Sequence, residues 1–405
     1  MLYVKTVGKW LLAAALIGLV GGAVGALFHE GVEYATLLRG ELPWLLYTMP
    51  LMGLAIVALY RYLHTQGIGT NAVLEAVHEG RALPLLLVPA IFLATLLTHL
   101  SGGSAGREGA ALQIGGDLGE HFGRMFRMDD KDVRIATLCG MSALVSALFG
   151  TPLTAAIFAL EVVSIGVLYY AGFLPCLTSA LVAYAVSLRM GAEPMRYSVL
   201  APTADAVMLL RAAVLALGCA MVSILFCEVL HRTERLAESR LENPYLRAAV
   251  GGCIVIALTL LVGCRDYNGA GTEILAAAIA GEAKPEAFLL KIVFTAATLG
   301  FGFKGGEIVP TLFVGAAFGC AAGAALGLPA GFAASLGVTG LFCGMSNCPL
   351  SSLLLSIEFF GAEGLLLRAV VCAVSYVCSG YRGLYSSQTI LYSKLRAEFI
   401  NVRTK

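Results

Sequence analysis

Charged residues are scarce in this chain of 405 residues, where Asp, Glu, Lys and Arg make up only 13% of the sequence. An ordinary soluble domain is about 25% charged and roughly 45–50% apolar with glycine counted. Here apolar residues without glycine already reach 59%, and 47 glycines come in addition. A soluble core of this size cannot hide so much apolar surface, so lipid must cover part of it. The composition excludes a set of soluble domains and predicts an integral membrane protein.

The sequence also lacks the motifs of metal sites and of hydrolytic enzymes. Its 11 cysteines and six histidines are dispersed, without a CxxC pair or a Cys/His cluster. Neither HExxH nor GxSxG occurs. The formal net charge of +1 gives no reason to expect a nucleic-acid partner. We therefore predict no metal, no cofactor and no enzyme activity.

Long apolar runs fill most of the chain. Several of them, such as 10–28, 43–63 and 207–230, approach the roughly 20 residues that a spanning helix needs. Others are short or interrupted by Gly and Pro, which is typical of helices that stop at mid-membrane with their ends facing a site. The alternating pattern of about 10 residues that marks a β-barrel is missing. The predicted fold is all-α, in a multi-pass membrane protein.

A repeated pattern divides the chain into two halves. Thr151-Pro-Leu153, followed by Glu161, recurs at the same spacing as Cys348-Pro-Leu350, followed by Glu358. The Gly-rich segments upstream repeat in the same order, as Gly106-Arg-Glu-Gly-Ala110 and Gly306-Glu-Ile-Val-Pro310. We predict a first membrane repeat over 1–200 and a second over 201–405, with no separate soluble domain. The residues alone leave open whether the repeats are parallel or inverted.

The segment Gly106-Arg107-Glu108-Gly109 is the first candidate site. An ionisable residue between glycines at membrane depth is costly, and is therefore a functional candidate. Glycines allow close backbone approach to a ligand, and the free N–H groups of a helix start attract an anion. A carboxylate tethered there can occupy the site itself and leave it when protonated. The alternative is that Glu108 simply caps the helix, where the helix dipole favours it.

Together with its neighbours, this segment resembles the CLC family of anion channels and anion/proton antiporters. The family pattern is GSGIP, then GREGP, then GxFxP, with a tyrosine near the end of the last membrane helix. This chain has Gly67-Ile-Gly-Thr-Asn71, Gly106-Arg-Glu-Gly-Ala110, Gly306-Glu-Ile-Val-Pro310 and Tyr392. The resemblance covers about 10–396, and the motifs follow in the expected order.

The resemblance implies a CLC-type fold of two inverted helical repeats with helices broken at mid-membrane. It also implies a homodimer, which we expect in the inner (plasma) membrane of a bacterium. Carried over motif by motif, it assigns anion binding to a set of residues around the three breaks and the terminal tyrosine: Gly69, Thr70, Asn71, Gly106, Arg107, Gly109, Ile308, Val309 and Tyr392.

The departures from the pattern favour the fluoride/proton antiporter branch. Thr70 replaces the serine of GSGIP, Ile308 replaces the usual phenylalanine of GxFxP, and the acidic Glu307 precedes it. The proton-relay glutamate of chloride/proton exchangers follows another glutamate, but here the pair reads Glu161-Val162. Chloride/proton exchange by the usual inner route is therefore disfavoured. In the family, the residues equivalent to Glu161 and Glu358 have structural roles.

Glu307 has two interpretations at this stage. It is either a carboxylate at a helix start paired with Lys304, or a selectivity or proton-handling group beside the anion path. A protonated acid there can donate a hydrogen bond to fluoride, while an ionised one repels anions. Thr70 offers a hydroxyl donor and Asn71 two amide donors, both suited to a small hard anion. Tyr392 adds a phenolic donor on the strength of the resemblance.

The resulting hypothesis is a fluoride/proton antiporter with fluoride, protons and the lipid bilayer as its partners. Glu108 competes with the anion when ionised and carries a proton when neutral. The alternative within the family is a chloride channel or chloride/proton exchanger.

Overall fold

The computed structural model describes residues 2–80 and 82–404, and over these residues the chain forms sixteen α-helices. The first eight, α1 to α8, span Leu2–Glu41, Met49–Tyr62, Thr70–Glu79, Leu87–Leu100, Glu108–Met125, Asp130–Phe149, Pro152–Glu161 and Phe173–Arg189. The second eight, α9 to α16, span Ala206–Arg240, Pro244–Val262, Thr272–Ile279, Ala287–Leu299, Ile308–Ala325, Ala330–Ser346, Pro349–Phe360 and Leu365–Cys378. The predicted all-α membrane fold is confirmed.

Long and short helices alternate as the apolar runs predict. In the described part of the chain, seven helical stretches are long and apolar enough to cross a membrane. Six further apolar helices have only 10–17 residues. At 1.5 Å per residue, the 10 residues of α7 rise about 15 Å, half of a hydrocarbon core about 30 Å thick. Such helices end inside the membrane.

The two sets of eight helices follow the same order. Helix α5 and its counterpart α13 each have 18 residues, and each begins just after a Gly-rich break. At those breaks Gly106 and Gly306 pair as an isolated antiparallel bridge, so equivalent segments of the two halves meet in opposite directions. This is the arrangement expected of inverted repeats. We propose on this basis that 1–200 and 201–405 are the two repeats.

Glycines set the close packing inside each half. Where α5 crosses α6, a Cβ on Gly115 would lie 2.3 Å from the Gly140 carbonyl oxygen. Where α13 crosses α14, a Cβ on Gly315 would lie 2.5 Å from the Gly337 carbonyl oxygen. Both distances are impossible for real side chains, so the helices approach backbone to backbone, as small residues allow in membranes. One cluster of buried apolar residues runs through both halves around these crossings.

Each half contributes a glutamate that caps the start of a helix in the other half. The Glu161 carboxylate accepts hydrogen bonds from the N–H groups of Leu350 (3.1 Å) and Ser351 (2.9 Å) at the start of α15. The Glu358 carboxylate accepts from the equivalent N–H groups of Leu153 (3.1 Å) and Thr154 (2.8 Å) at the start of α7. Each acid therefore satisfies free helix donors of the opposite half. These contacts give both residues the structural role that the family resemblance implies.

A small sheet, which the sequence did not predict, ties the end of the chain to the first half. It contains β1 (Ser164–Ile165), β2 (Thr389–Tyr392) and β3 (Phe399–Arg403). Strand β1 pairs parallel to β2, and β2 pairs antiparallel to β3. The strands have only two to five residues, too few for an alternating pattern to stand out. The segment after α16 is thereby held across the helices.

Candidate functional site

The starts of α5 and α13 lie side by side at the junction of the two halves. The Gly106 N–H donates to the Gly306 carbonyl oxygen at 2.7 Å, and the Gly306 N–H donates to the Gly106 carbonyl oxygen at 2.7 Å. A Cβ on Gly306 would lie 2.3 Å from the Gly109 nitrogen, so only glycine fits there. The first N–H groups of a helix have no partner within the helix and attract anions. Two such helix starts converge here.

The Glu108 carboxylate lies between these two helix starts. Glu108 is the first residue of α5 and is fully buried. Its Oε2 accepts a hydrogen bond from the Arg107 N–H at 2.9 Å, and its carboxylate lies within electrostatic range of the Val309 N–H of α13. Among the described residues, Oε1 has no hydrogen-bond partner. The carboxylate therefore occupies a position where an anion can bind.

Glu307 is the N-cap residue of α13 and faces the same junction. Its Oε2 lies 2.8 Å from the position of a Cβ on Gly109. That oxygen is buried and has no hydrogen-bond partner among the described residues. The described residues show no direct ion pair between Glu307 and Lys304, although the two charges interact at longer range. The Lys304 ammonium lies 4.8 Å from the ring centre of Tyr60. The direct-pair interpretation of Glu307 therefore lacks a contact to support it.

The start of α3 brings polar groups to the site. The hydroxyl of Thr70 accepts a hydrogen bond from the Gln113 side-chain amide at 3.0 Å, which leaves its own proton available for an anion. The Asn71 side-chain oxygen accepts from the N–H and the hydroxyl of Ser387, at 3.2 Å and 2.9 Å. No atom lies within 4 Å of the position that a Cβ on Gly69 would take, so the space before Thr70 is open.

The structure brings Tyr385 to this site and places Tyr392 elsewhere. Tyr385 is only 2% exposed, and its hydroxyl has no hydrogen-bond partner among the described residues. It lies within electrostatic range of both Glu307 and Glu108. Tyr392 is 45% exposed on β2 and packs against Phe399, with ring centres 5.5 Å apart. The family's tyrosine position is thus better matched in space by Tyr385.

A cavity of about 780 Å³ leads to one side of the site. Glu307, Thr70 and Tyr385 line this cavity, together with Gln113. It is also lined by charged residues of both signs: Arg61, Glu234, Glu238, Glu242, Arg247 and Lys304. The cavity therefore brings hydroxyl, amide and acid groups together beside the junction of the two halves.

Arg107 lies within electrostatic range of Glu108 at the junction and of Glu33, which lines a second, smaller cavity. Its Nε lies 3.6 Å from Oε1 of Glu108, and its charge also acts on Glu33. Glu33, Glu30 and His29 line that cavity, which has a volume of about 370 Å³. The guanidinium is thus balanced by acids, as a buried cation at membrane depth requires.

Ile308 and Val309 contribute backbone rather than side-chain chemistry. Both are buried at the start of α13, with side chains 1% exposed. Of the residues predicted for the site, the structure gathers those from the three Gly-rich breaks and leaves out the terminal tyrosine. Sequence reasoning missed Gln113 and Tyr385. Gln113 carries a signal, since it is a polar residue in an otherwise small and apolar helix turn, whereas Tyr385 carries none.

The chemistry of the assembled site suits an anion and a proton. It offers backbone N–H groups, hydroxyl and amide donors, and two buried carboxylic acids whose charges oppose a bound anion. The position that carries the relay glutamate in chloride/proton exchangers is Val162, which is fully buried. The buried acids at the junction itself are Glu108 and Glu307.

Known proteins with similar sequences include channel proteins for anions. A family profile described as voltage gated chloride channel matches residues 51–380. A "Chloride/fluoride channel protein" of Pseudomonas syringae pv. tomato is 33% identical over 96% of this chain and 88% of its own length. A "Voltage-gated ClC-type chloride channel ClcB" of Shigella flexneri is 31% identical over 70% of this chain and 71% of its own length.

Solved structures show the same fold. The crystal structure of a CLC-type fluoride/proton antiporter superposes with a TM-score of 0.91 at 30% identity, covering 95% of this chain and 98% of that chain. A slow cyanobacterial Cl⁻/H⁺ antiporter superposes with a TM-score of 0.76 at 20% identity, covering 92% and 94%. At 20% identity, the similarity to the cyanobacterial antiporter supports the fold alone.

Proposed function

Because the chain belongs to the voltage-gated chloride channel (CLC) family, we propose that it is a fluoride/proton antiporter, which exports fluoride in exchange for protons. Members of this family are ion transporters or channels. The observation that carries the proposal is the buried Glu108 carboxylate, which accepts a hydrogen bond from the Arg107 N–H at the start of α5 and lies beside Val309 at the start of α13. An ionised Glu108 competes with the anion, and a neutral Glu108 releases the site and carries a proton.

Three features favour fluoride over chloride. Thr70 supplies a hydroxyl proton in the wall of the cavity, and Glu307, when protonated, supplies an acid donor in the same wall. Strong, short donors suit a compact anion that accepts hydrogen bonds well. The buried Val162 cannot serve as the inner relay of chloride/proton exchangers. Two of the similar proteins also carry fluoride in their names.

The substrate test uses purified protein in liposomes loaded with equal concentrations of potassium fluoride or potassium chloride. A potassium ionophore removes the membrane voltage, while ion-selective and pH electrodes follow the medium. We expect faster fluoride efflux than chloride efflux, and alkalinisation of the medium as protons enter the vesicles. Chloride efflux equal to or above fluoride efflux would support the chloride alternative and reject this proposal.

A cellular test follows from the acid–base chemistry of fluoride. Neutral HF crosses membranes and dissociates in a cytoplasm that is less acidic than the medium. We place the protein in the plasma membrane of a bacterium, so cells without it should grow poorly in fluoride, most sharply in acid medium. Fluoride sensitivity that stays unchanged across pH contradicts the export function.

We further propose that two chains form a homodimer. Helices α7 and α15 lie antiparallel, with the start of each capped by the acid near the end of the other, and leave Leu153 and Leu350 exposed, at 46% and 50%. An apolar face shared by both halves is suited to a two-fold contact. Cross-linking and light scattering in mild detergent should give the mass of two chains, and a single-chain mass would contradict this.

A further inference from the structure

A cluster of three ionisable side chains lies on α5, away from the anion site. Asp117, Glu120 and His121 share one face of the helix, because residues three and four positions apart are neighbours on a helix surface. One ligand atom from each residue lies within 4.8 Å of the others. The His121 Nδ1 is 2.8 Å from Oδ1 of Asp117 and 3.3 Å from Oε2 of Glu120.

The two carboxylates of this cluster are buried and poorly satisfied. Asp117 is 0% exposed and Glu120 is 2% exposed. Among the described residues, neither oxygen of the Asp117 side chain nor Oε2 of Glu120 completes a hydrogen bond, although the Val88 N–H faces Asp117. Oε1 of Glu120 accepts from Arg124, which leaves Oε2 directed at the cluster. Buried carboxylates without partners are costly, so these three oxygens favour a further cation.

Protonation of His121 alone does not satisfy these three carboxylate oxygens. Its Nδ1–H lies 2.9 Å from the Asp117 backbone carbonyl oxygen, and one N–H donates well to only one acceptor. A protonated imidazole therefore leaves at least two carboxylate oxygens without a hydrogen bond. A metal ion bonds to one atom of each side chain at once.

The donor set identifies the class of metal. One imidazole nitrogen and two carboxylate oxygens suit a divalent transition-metal ion such as Zn²⁺, whereas Mg²⁺ and Ca²⁺ prefer oxygen ligands alone. Bonds of about 2.1 Å in a tetrahedral site put ligand atoms about 3.4 Å apart. The His121 Nδ1 is already 2.8 Å and 3.3 Å from the two carboxylates, and all three ligand atoms lie within 4.8 Å of one another, so side-chain rotations alone can reach this spacing.

We propose that Asp117, Glu120 and His121 form a binding site for a divalent transition metal, with a water molecule as the fourth ligand. The His121 side chain is 28% exposed, which gives the ion a route from solvent. Asp117 lies nine residues along α5 from Glu108, about 14 Å at the rise of a helix. The metal site is therefore separate from the anion site, and its test is independent of fluoride transport.

The experiment measures zinc bound to the full-length protein in detergent after chelator treatment and dialysis. Titration with ZnCl₂ should show one saturable site per chain. Asp117→Asn and His121→Gln should each weaken zinc binding at that site by about tenfold or more, since each removes one of three ligands. Excess Mg²⁺ should not displace the zinc. The thermal unfolding temperature of the wild type should rise with zinc and fall back with chelator.

His29→Gln is the matched control, because His29 also faces an acid one helix turn away, with Nε2 3.3 Å from Oε2 of Glu33. This variant should bind zinc as the wild type does. Zinc retained equally by Asp117→Asn and His121→Gln would belong to other groups, such as the exposed Cys253 and Cys378, and would overturn the proposal. A wild type without saturable zinc binding would overturn it as well.

Discussion

The start of α5 and the start of α13 share one backbone geometry but carry different side chains. Gly106 and Gly306 exchange equal hydrogen bonds of 2.7 Å, so the two helix starts are placed alike. The first half then supplies Glu108 as a carboxylate that reaches across the junction. The second half supplies the Val309 N–H, which lies within electrostatic range of this carboxylate, and Glu307, which lines the cavity.

The features of the two halves fall into two groups, those that position the site and those assigned to transport. Features that are equal in both halves, such as the glycine crossings and the exchanged caps, hold the helix starts in place. Features present in one half alone, such as Glu108 and Tyr385 after α16, are those to which we assign the ion chemistry in the proposed transport function. Changes to the shared features should therefore affect stability, and changes to the unshared ones should affect transport.

The largest stability effect is expected at the glycine crossings. Gly115→Ala and Gly315→Ala should each destabilise the protein by about 3 kcal/mol, because the new Cβ would lie within 2.5 Å of a carbonyl oxygen in both halves. Thermal unfolding in detergent measures this. Gly8→Ala is the control, since nothing lies within 4 Å of its Cβ position. Equal stability of Gly115→Ala and Gly8→Ala would reject the close packing.

Glu307→Gln tests the acid that only the second half provides. The amide still donates a hydrogen bond but cannot titrate, so proton uptake coupled to fluoride efflux should fall about 100-fold. Fluoride and pH electrodes on proteoliposomes record both ions. Glu286→Gln is the control, because Glu286 is likewise the N-cap of a helix, α12, but is exposed. If Glu307→Gln couples proton uptake to fluoride efflux as the wild type does, Glu307 has only a structural role.

Tyr385→Phe and Tyr392→Phe compare the two candidate tyrosines. Removal of the buried Tyr385 hydroxyl should slow fluoride transport about tenfold, the value of one hydrogen bond to a charged group. Tyr392→Phe should transport at the wild-type rate, because that ring packs against Phe399 on the surface sheet. The reverse result would return the anion-binding role to Tyr392.

The smallest effect is expected from the exchanged caps. Glu161→Gln and Glu358→Gln should each lower stability by about 1 kcal/mol, since each weakens the charged cap of a helix start. Transport rates per folded protein should stay near the wild-type value. A loss of proton coupling in Glu161→Gln alone would give that residue a transport role and break the equivalence of the two caps.

The sequence predicted the parts of this structure that depend on local chemistry. Apolar runs interrupted by glycine and proline located the helix starts at Thr70, Glu108 and Ile308, because such breaks are visible within a few residues. The spaced P-L…E pattern predicted the repeat, which the structure extends to all sixteen helices of the described residues.

The remaining features depend on long-range packing. Tyr385 reaches the site because two contacts hold the segment after α16 across the helices. Ser387 donates a hydrogen bond to Asn71, and Thr404 donates to the Gln388 carbonyl oxygen. Nothing in the residues next to Tyr385 marks it, and the family motif drew attention to Tyr392 instead. The sequence did not suggest the proposed metal site of Asp117, Glu120 and His121, because these residues match no common metal-ligand spacing.

Glu108→Gln, studied in liposomes with fluoride and pH electrodes together, tests the central claim most directly. Gln is a nearly isosteric and permanently neutral mimic of the protonated acid, so it cannot carry a proton across the junction. We expect proton uptake coupled to fluoride efflux to disappear and fluoride transport to fall strongly, while the exposed control Glu282→Gln behaves as the wild type. Fluoride efflux that still drives proton uptake at the wild-type ratio in Glu108→Gln would show that Glu108 only caps α5.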